Sequence, residues 1–176
     1  MRPLLQWLGL DPGDGSAARD DDTEAVARIT AALERLDPER ARFVASFACV
    51  LARLANADLD VTEEETAEME RIVARVGGLP PDQAALAVEI AKAQAVTSGG
   101  TTDYLVTRQF RSCAEREDRI ALIRCLFAVA AADGSISQLE NQRISQIGTE
   151  LGLTASEVTG CRVEFRDALA VLKDLP

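Results

Sequence analysis

The chain contains no histidine, which removes the side chain that most often serves as a general base or a metal ligand. Ser-His and Cys-His catalytic pairs are therefore excluded. Aromatic residues make up only 4% of the sequence, and no alternation of β-branched residues is long enough to indicate a strand. No segment approaches the roughly 20 apolar residues that a membrane-spanning helix needs.

Cysteine is present, but in a pattern that argues against both redox and zinc chemistry. The four residues are Cys49, Cys113, Cys125 and Cys161. None forms a Cys-x-x-Cys pair, and without histidine partners they make no recognisable zinc site. Cys49 and Cys125 lie in apolar helical stretches. We expect buried, reduced thiols and therefore a reducing compartment, the cytoplasm.

The net charge is -10, from 29 acidic and 19 basic residues. This balance argues against a nucleic-acid partner, because binding to phosphates requires clustered lysine and arginine. An acidic surface suits a basic partner, a divalent cation or simply solubility.

The N-terminal segment differs from the remainder. Its first ten residues carry five large apolar side chains, Leu4, Leu5, Trp7, Leu8 and Leu10. Residues 11–22 have the turn formers and aspartates of a flexible acidic linker. We therefore divide the chain into residues 1–22 and a helical domain over residues 23–176. The decapeptide is too short for a signal sequence. Three roles stay open for it: packing on its own domain, docking on a partner, or lying on a membrane surface.

Apolar spacing and terminal signals predict an all-α fold, a bundle of seven to eight helices. The expected helices lie at about 23–36, 38–55, 62–76, 80–97, 103–113, 117–131, 137–151 and 154–172. Asp37 followed by Pro38 is an N-cap with proline at the first helical position. The large apolar residues of the second helix should face inward: Phe43, Phe47, Val50, Leu51 and Leu54.

An internal repeat is the most informative feature of the sequence. The motif that runs from Ala55 to Glu65 returns 75 residues later, from Ala130 to Glu140. Each copy follows an apolar helix and precedes a helix that ends in Gly-Leu, at Gly78 and at Gly152. Two copies of this helix-loop-helix unit predict a bundle with an internal pseudo-two-fold duplication. The helix at 103–113 would bridge the two halves.

One interpretation of the motif is purely structural. Thr62-x-x-Glu65 and Ser137-x-x-Glu140 match the capping box, in which a hydroxyl and a carboxylate satisfy free backbone N–H groups at a helix start. The motif at Thr154, with its glutamate three residues later, has the same form but no acidic residue before it. This chain therefore also uses capping boxes where no acidic loop precedes them.

The second interpretation is a divalent cation site. The segment from Asp133 to Glu140 follows the second half of an EF-hand loop: acid, Gly, any residue, aliphatic residue and a final Glu. The first two ligand positions are apolar or amide residues, so an ordinary EF-hand is excluded. A reduced site for Ca²⁺ or Mg²⁺ would use the oxygens of Asp58, Asp60, Thr62 and Glu65 in the first copy, and of Asp133, Ser135 and Glu140 in the second. The first copy is the better candidate because seven acids and no basic residue lie between Asn56 and Glu70.

The same residues resemble the TerB family, which is associated with tellurite resistance. The resemblance covers roughly residues 38–175. It implies an all-helical fold and a role in resistance to tellurite and other chemical stress. Carried over by position, the implied metal-binding acids are Asp58, Asp60 and Glu65 in one copy and Asp133 and Glu140 in the other. Leu59 replaces the motif glycine in the first copy.

The resemblance also implies a protein partner, an integral membrane protein of the TerC type. The chain would then work in the cytoplasm at the inner face of the membrane and reach the membrane only through that partner. We expect a non-catalytic module, because the sequence shows no nucleophile-base pair, phosphate-binding glycine loop or redox dithiol. The alternative is a metal-free structural module, such as those fused to co-chaperones.

Overall fold

A computed structural model describes residues 20–54, 62–97, 103–132 and 134–169. The helices are α1 (Asp20–Glu34), α2 (Pro38–Ala52), α3 (Glu63–Arg75), α4 (Pro81–Thr97), α5 (Asp103–Cys113), α6 (Arg116–Ala130), α7 (Gln138–Glu150) and α8 (Ala155–Val163). Over these ranges the only β-type contact is one isolated bridge, so the all-α prediction is confirmed. No helix in this part of the chain is long and apolar enough to cross a bilayer.

Helix α2 is the centre of the first half. Asp37 begins it, because its carboxylate accepts hydrogen bonds from the N–H groups of Glu39 (3.1 Å) and Arg40 (3.0 Å). From Phe43 to Leu51 every residue is buried. Helices α1, α4 and α5 pack around it. The five apolar residues that were expected to face inward are all buried.

Helix α5 contacts helices of both halves. Its Phe110 lies 5.3 Å from the ring of Phe43 and 5.9 Å from that of Phe47, measured between ring centroids. These separations are those of favourable aromatic pairs. α5 also contacts α7 of the second half. The predicted bridging role of this helix is confirmed.

The predicted duplication is visible in the described helices. α2 and α6 each have 15 residues, and α3 and α7 each have 13. Both α3 and α7 begin with a capping box. Both are followed by a glycine in the left-handed region, Gly78 at φ 73° and Gly152 at φ 74°. A residue with a Cβ is strained there, which explains why glycine stands at both positions.

The last helix of the second unit is much shorter than predicted. α8 ends at Val163 after nine residues, whereas the sequence indicated a helix to about residue 172. A 3₁₀ turn at Arg166–Ala168 follows. Phe165 stacks on Phe127 of α6 with ring centroids 6.2 Å apart, and Leu169 bridges Ile136 of the motif loop. These tertiary contacts account for the early end of the helix.

The first helix begins earlier than predicted. α1 starts at Asp20 rather than near Thr23, so three residues that the sequence assigned to the linker are helical. Acidic residues are favoured in the first turn of a helix, where the macrodipole is positive. Residues 1–19 lie outside the described residues, and the role of the N-terminal decapeptide stays a prediction.

Two helical glycines give a test of the packing in the second unit. A Cβ at Gly148 of α7 would lie 2.5 Å from Cγ2 of Val158, whereas a Cβ at Gly160 of α8 meets nothing within 4 Å. Gly148→Ala should therefore lower the free energy of unfolding by about 1–3 kcal/mol through overpacking. Gly160→Ala should raise it by about 0.5–1 kcal/mol. Urea unfolding of both variants measures these changes, and equal effects would contradict the close approach of α7 and α8.

Candidate functional site

The first motif forms a complete capping box at the start of α3. The N–H of Thr62 donates to Oε2 of Glu65 (2.8 Å), and the N–H of Glu65 donates to the hydroxyl of Thr62 (3.2 Å). The Thr62 hydroxyl also donates to the same carboxylate oxygen, at 2.9 Å. The hydrogen bonds from the backbone and then from the side chain of Thr62 lower the pKa of Glu65. Glu65 is therefore an anion at neutral pH with one oxygen fully engaged.

The second motif forms the same box at the start of α7. The N–H of Ser137 donates to Oε2 of Glu140 (2.8 Å), and the N–H of Glu140 donates to the hydroxyl of Ser137 (3.2 Å). Gly134 has φ 81°, the left-handed conformation that its turn requires. Ser135 is exposed, and Ile136 is buried as the inward-pointing residue. The capping prediction is thus confirmed for both copies.

Three of the acids predicted to bind a cation are not among the residues that the structure describes. Asp58, Asp60 and Asp133 fall outside the described residues. Of the other predicted ligands, Thr62 and Glu65 lie together at one helix start, and Ser135 and Glu140 lie at another. Within the described ranges no three His, Cys, Asp or Glu side chains are grouped so that they could hold a metal ion. The cation site therefore stays a prediction.

The third box, at the start of α8, shows what the same motif does without an acidic loop. The N–H of Thr154 donates to Oε2 of Glu157 (2.8 Å), and the Thr154 hydroxyl donates to the same oxygen (2.7 Å). Oε1 of Glu157 accepts from Arg116 of α6. Hydrogen bonds from Thr154 and the charge of Arg116 lower the pKa of Glu157. The second carboxylate oxygen is thus used to tie two helices together.

The first copy has a neighbouring cationic side chain that sequence reasoning missed. The ammonium of Lys92 on α4 donates to the hydroxyl of Thr66, 3.0 Å away, one residue after Glu65. Glu63, Glu64 and Glu65 occupy the first turn of α3 and are exposed. A helix N-terminus favours acids electrostatically, so part of this negative charge is stabilised by the helix itself.

A second feature missed from the sequence is a largely buried ion pair between the halves. Arg53, the C-cap of α2, donates from Nη1 to Oε2 of Glu150 at 2.6 Å. The two side chains are only 10% and 14% exposed. The hydroxyl of Thr107 on α5 lies 2.7 Å from the same oxygen, and Gln146 donates to Oε1 at 3.0 Å. Three helices of both units thus meet at one carboxylate.

This environment sets the charge of Glu150. Burial acts to raise its pKa, but the hydrogen bonds from Arg53, Thr107 and Gln146 and the positive charge of Arg53 outweigh burial and lower the pKa overall. The sequence carried one signal, because Arg53 stands among apolar residues at the end of α2. Glu150 ends the mostly polar helix α7 and gave no such signal. Their separation of 97 residues gave no indication that they pair.

The predicted burial of the thiols is confirmed for three of the four. None is in a disulfide, and all but the half-buried Cys113 are buried. Burial raises the pKa of Cys49 and of Cys125 to about 12. Burial also raises the pKa of Cys113, against the opposing hydrogen bond from Ser46, and that of Cys161. Thiols with raised pKa values carry little thiolate at neutral pH and react slowly.

These observations define a small all-α module built from two copies of a helix-loop-helix unit, each with a capping box at its second helix. The family model described as tellurite resistance protein TerB matches residues 43–163. The match includes both capping boxes and the bridging helix α5, and it ends at the last residue of α8. The chain therefore belongs to the TerB family. No curated protein and no solved structure matches the chain.

Removal of one capping carboxylate tests the structural role of the motif. Glu140→Ala should lower the free energy of unfolding by about 1 kcal/mol, because the N–H of Ser137 loses its acceptor. Calcium at millimolar concentration should leave this loss unchanged if the carboxylate only caps the helix. Thermal unfolding with and without chelator measures both quantities, and a loss that depends strongly on calcium would favour the cation interpretation.

Glu150→Gln tests the ion pair between the halves. A hydrogen bond to a charged group contributes about 1.5–3 kcal/mol, so the variant should lose a free energy of unfolding of this size at neutral pH. Because the pKa of Glu150 is lowered in the folded state, the contribution of its charge is present above the unfolded pKa of about 4.3 and is lost as pH falls through the folded value.

The measurement is urea unfolding of the wild type and the variant between pH 7 and pH 3. The difference between the two should be largest at neutral pH and should shrink below about pH 4.3. Glu164→Gln is the control, because its pair with Arg124 is 46% exposed on both sides and should contribute less than about 1 kcal/mol. Equal losses for the two variants would contradict the role of the buried pair.

Proposed function

We propose that this chain is a non-catalytic module in resistance to tellurite and chemical stress, and that it binds a divalent cation through its acidic motif. The first copy, with Asp58, Asp60, Thr62 and Glu65, is the main site. The second, with Asp133, Ser135 and Glu140, is the weaker one. The observation that carries this proposal is membership of the TerB family across both copies of the motif.

The chemistry of the donor groups supports the choice of Ca²⁺ or Mg²⁺. Every candidate ligand is a carboxylate or hydroxyl oxygen, which hard cations prefer, and none is a thiol or imidazole. Oε2 of Glu65 accepts two hydrogen bonds from Thr62, while Oε1 makes none with the described part of the chain. Oε1 is therefore the atom of Glu65 suited to a cation. A bound cation would neutralise charge around the exposed first turn of α3.

The hydrogen bonds from Thr62 prepare Glu65 for this role. They hold the carboxylate in one orientation and keep it ionised by lowering its pKa. Ligands that are already ordered lose less conformational entropy when they bind, which raises affinity. The capping and cation interpretations are thus compatible, because they use different oxygens of the same side chain.

A metal-free structural module is the second candidate function, and one observation favours it. The box at Thr154 and Glu157 has the same hydrogen bonds as the first box but follows no acidic loop. There the second carboxylate oxygen pairs with Arg116 instead of being left for a cation. The capping geometry alone therefore does not require a metal.

We further propose that the chain binds an integral membrane protein of the TerC type. It would reach this partner from the cytoplasmic side of the membrane. The net charge of -10 supports a partner with a basic surface and disfavours nucleic acid. The non-catalytic assignment is supported by the high pKa values of the thiols and by the absence of histidine from the sequence. The module would then act by binding, and the cation would regulate its acidic surface.

Calcium-dependent thermal unfolding tests the cation site. With free cation about tenfold above the dissociation constant, mass action stabilises the folded state by about 1.4 kcal/mol. For a protein of this size that corresponds to a rise in Tm of about 4 °C. Calcium should act more strongly than magnesium, because its flexible coordination suits a short loop. Asp58→Asn combined with Asp60→Asn should abolish the rise.

The matched control is Glu157→Gln, which alters a capping box without an acidic loop and should keep the full response to calcium. Identical Tm values in chelator and in millimolar calcium would eliminate the cation site and leave the structural module. Growth on tellurite of a host lacking the gene, complemented with the wild type or the double variant, then tests whether the site serves resistance.

A further inference from the structure

The outer face of α5 is an unusual surface for this protein. Tyr104 and Leu105 are 61% and 53% exposed, and they lie side by side in the first turn of the helix. Arg108 and Arg111 are exposed on the same face, because residues 104, 108 and 111 follow the spacing of one helical stripe. We call these four residues the α5 face. The face combines tyrosine, leucine and arginine, and tyrosine and arginine are enriched in protein interfaces.

The charge of the α5 face is opposite to that of the chain as a whole. The net charge is -10, yet no acidic residue occurs between Tyr104 and Ala114. The side chains of Arg108 and Arg111 make no ion pair or hydrogen bond with the described part of the chain. The guanidinium of Arg111 lies against Gly152, where an added Cβ would come within 2.9 Å of its carbon. Both arginines are exposed, and Arg111 also packs against the end of α7.

A segment of matching chemistry occurs in the same chain. Between Leu4 and Leu10 the sequence carries five large apolar side chains, and Asp11 and Asp14 follow directly. We propose that residues 4–14 dock on the α5 face of their own chain, with the apolar side chains against Tyr104 and Leu105 and the aspartates beside Arg108 and Arg111. Residues 1–19 lie outside the described part, so the proposal depends on their sequence and on the geometry of the α5 face.

The connection between the segment and the domain allows this docking. From Leu10 to Asp20, where α1 begins, the chain spans up to about 35 Å when extended. A domain of about 150 residues has a radius of gyration of only about 15 Å, so much of its surface is within reach. A short flexible tether gives an effective concentration in the millimolar range. A contact whose dissociation constant lies below the millimolar range is therefore mostly occupied.

An anionic membrane and the N-terminal segment of a second copy fit the α5 face less well. An anionic membrane surface is usually recognised by clusters of four to eight basic residues, whereas the α5 face has two and the chain carries a charge of -10. The segment of a second copy has the same chemistry, but it competes against a tethered segment at millimolar effective concentration. The intrachain contact is favoured at the micromolar concentrations of an ordinary experiment.

Intrinsic fluorescence tests the proposal directly. Trp7 is the only tryptophan and Tyr104 the only tyrosine of the full chain. Docking places the two side chains together, so Trp7 should emit at shorter wavelength than it does in a free peptide of residues 1–14. Excitation of Tyr104 should also produce emission from Trp7 by energy transfer. Both signals should be independent of protein concentration.

Charge reversal supplies the decisive variants. Arg108→Glu with Arg111→Glu should abolish the energy transfer and shift Trp7 emission to that of the free peptide. Asp11→Lys with Asp14→Lys should do the same, and the four substitutions together should restore both signals. Arg35→Glu with Arg75→Glu is the matched control, because these arginines are also exposed but lie outside α5. Circular dichroism confirms that each variant is folded.

Three results would overturn the proposal. Trp7 emission equal to that of the free peptide in the wild type would show that the segment is not docked. A short-wavelength emission that neither charge reversal changes would place the segment elsewhere on the domain. Signals that increase with protein concentration, or only after addition of phosphatidylserine vesicles, would assign the segment to a second copy or to a membrane.

Discussion

A helical stretch that is buried on every side is stable in water only when other helices surround it, and α2 has such a stretch from Phe43 to Leu51. Its one polar residue between Phe43 and Leu51 is Ser46, whose hydroxyl donates to the carbonyl of Arg42 at 2.7 Å. The need to cover α2 brings α1, α4 and α5 together around it. Through Phe110, this requirement also fixes α5 between the two units, and with it the position of Thr107 beside Glu150.

The local features of the fold could be predicted from the sequence because they depend on residues close together in the chain. The bounds of α5 agree with those predicted, and the capping boxes at Thr62, Ser137 and Thr154 each form between residues three apart. The end of α8 could not be predicted in this way. The sequence beyond Val163 still has the residue pattern of a helix. Phe165 instead contacts α6, and Leu169 contacts the motif loop, and both partners are distant in sequence.

The same difference between local and distant contacts explains which residues of the candidate site could be predicted. Thr62, Glu65, Ser137 and Glu140 were identified because their hydrogen bonds follow a short motif. Lys92 was missed because it reaches Thr66 from another helix, 26 residues away. The pair of Arg53 with Glu150 was missed for the same reason. A charged residue in an apolar helical stretch indicates that a partner exists, but a single sequence does not identify that partner.

The pair of Arg53 with Glu150 also distinguishes the two units of an otherwise repeated chain. The motif recurs after 75 residues. Arg75 of the first unit therefore corresponds to Glu150 of the second, and Ala128 of the second unit corresponds to Arg53 of the first. Two first units placed together would set arginine against arginine, and two second units would leave the carboxylate without a guanidinium. At this contact the two units are therefore complementary and not interchangeable.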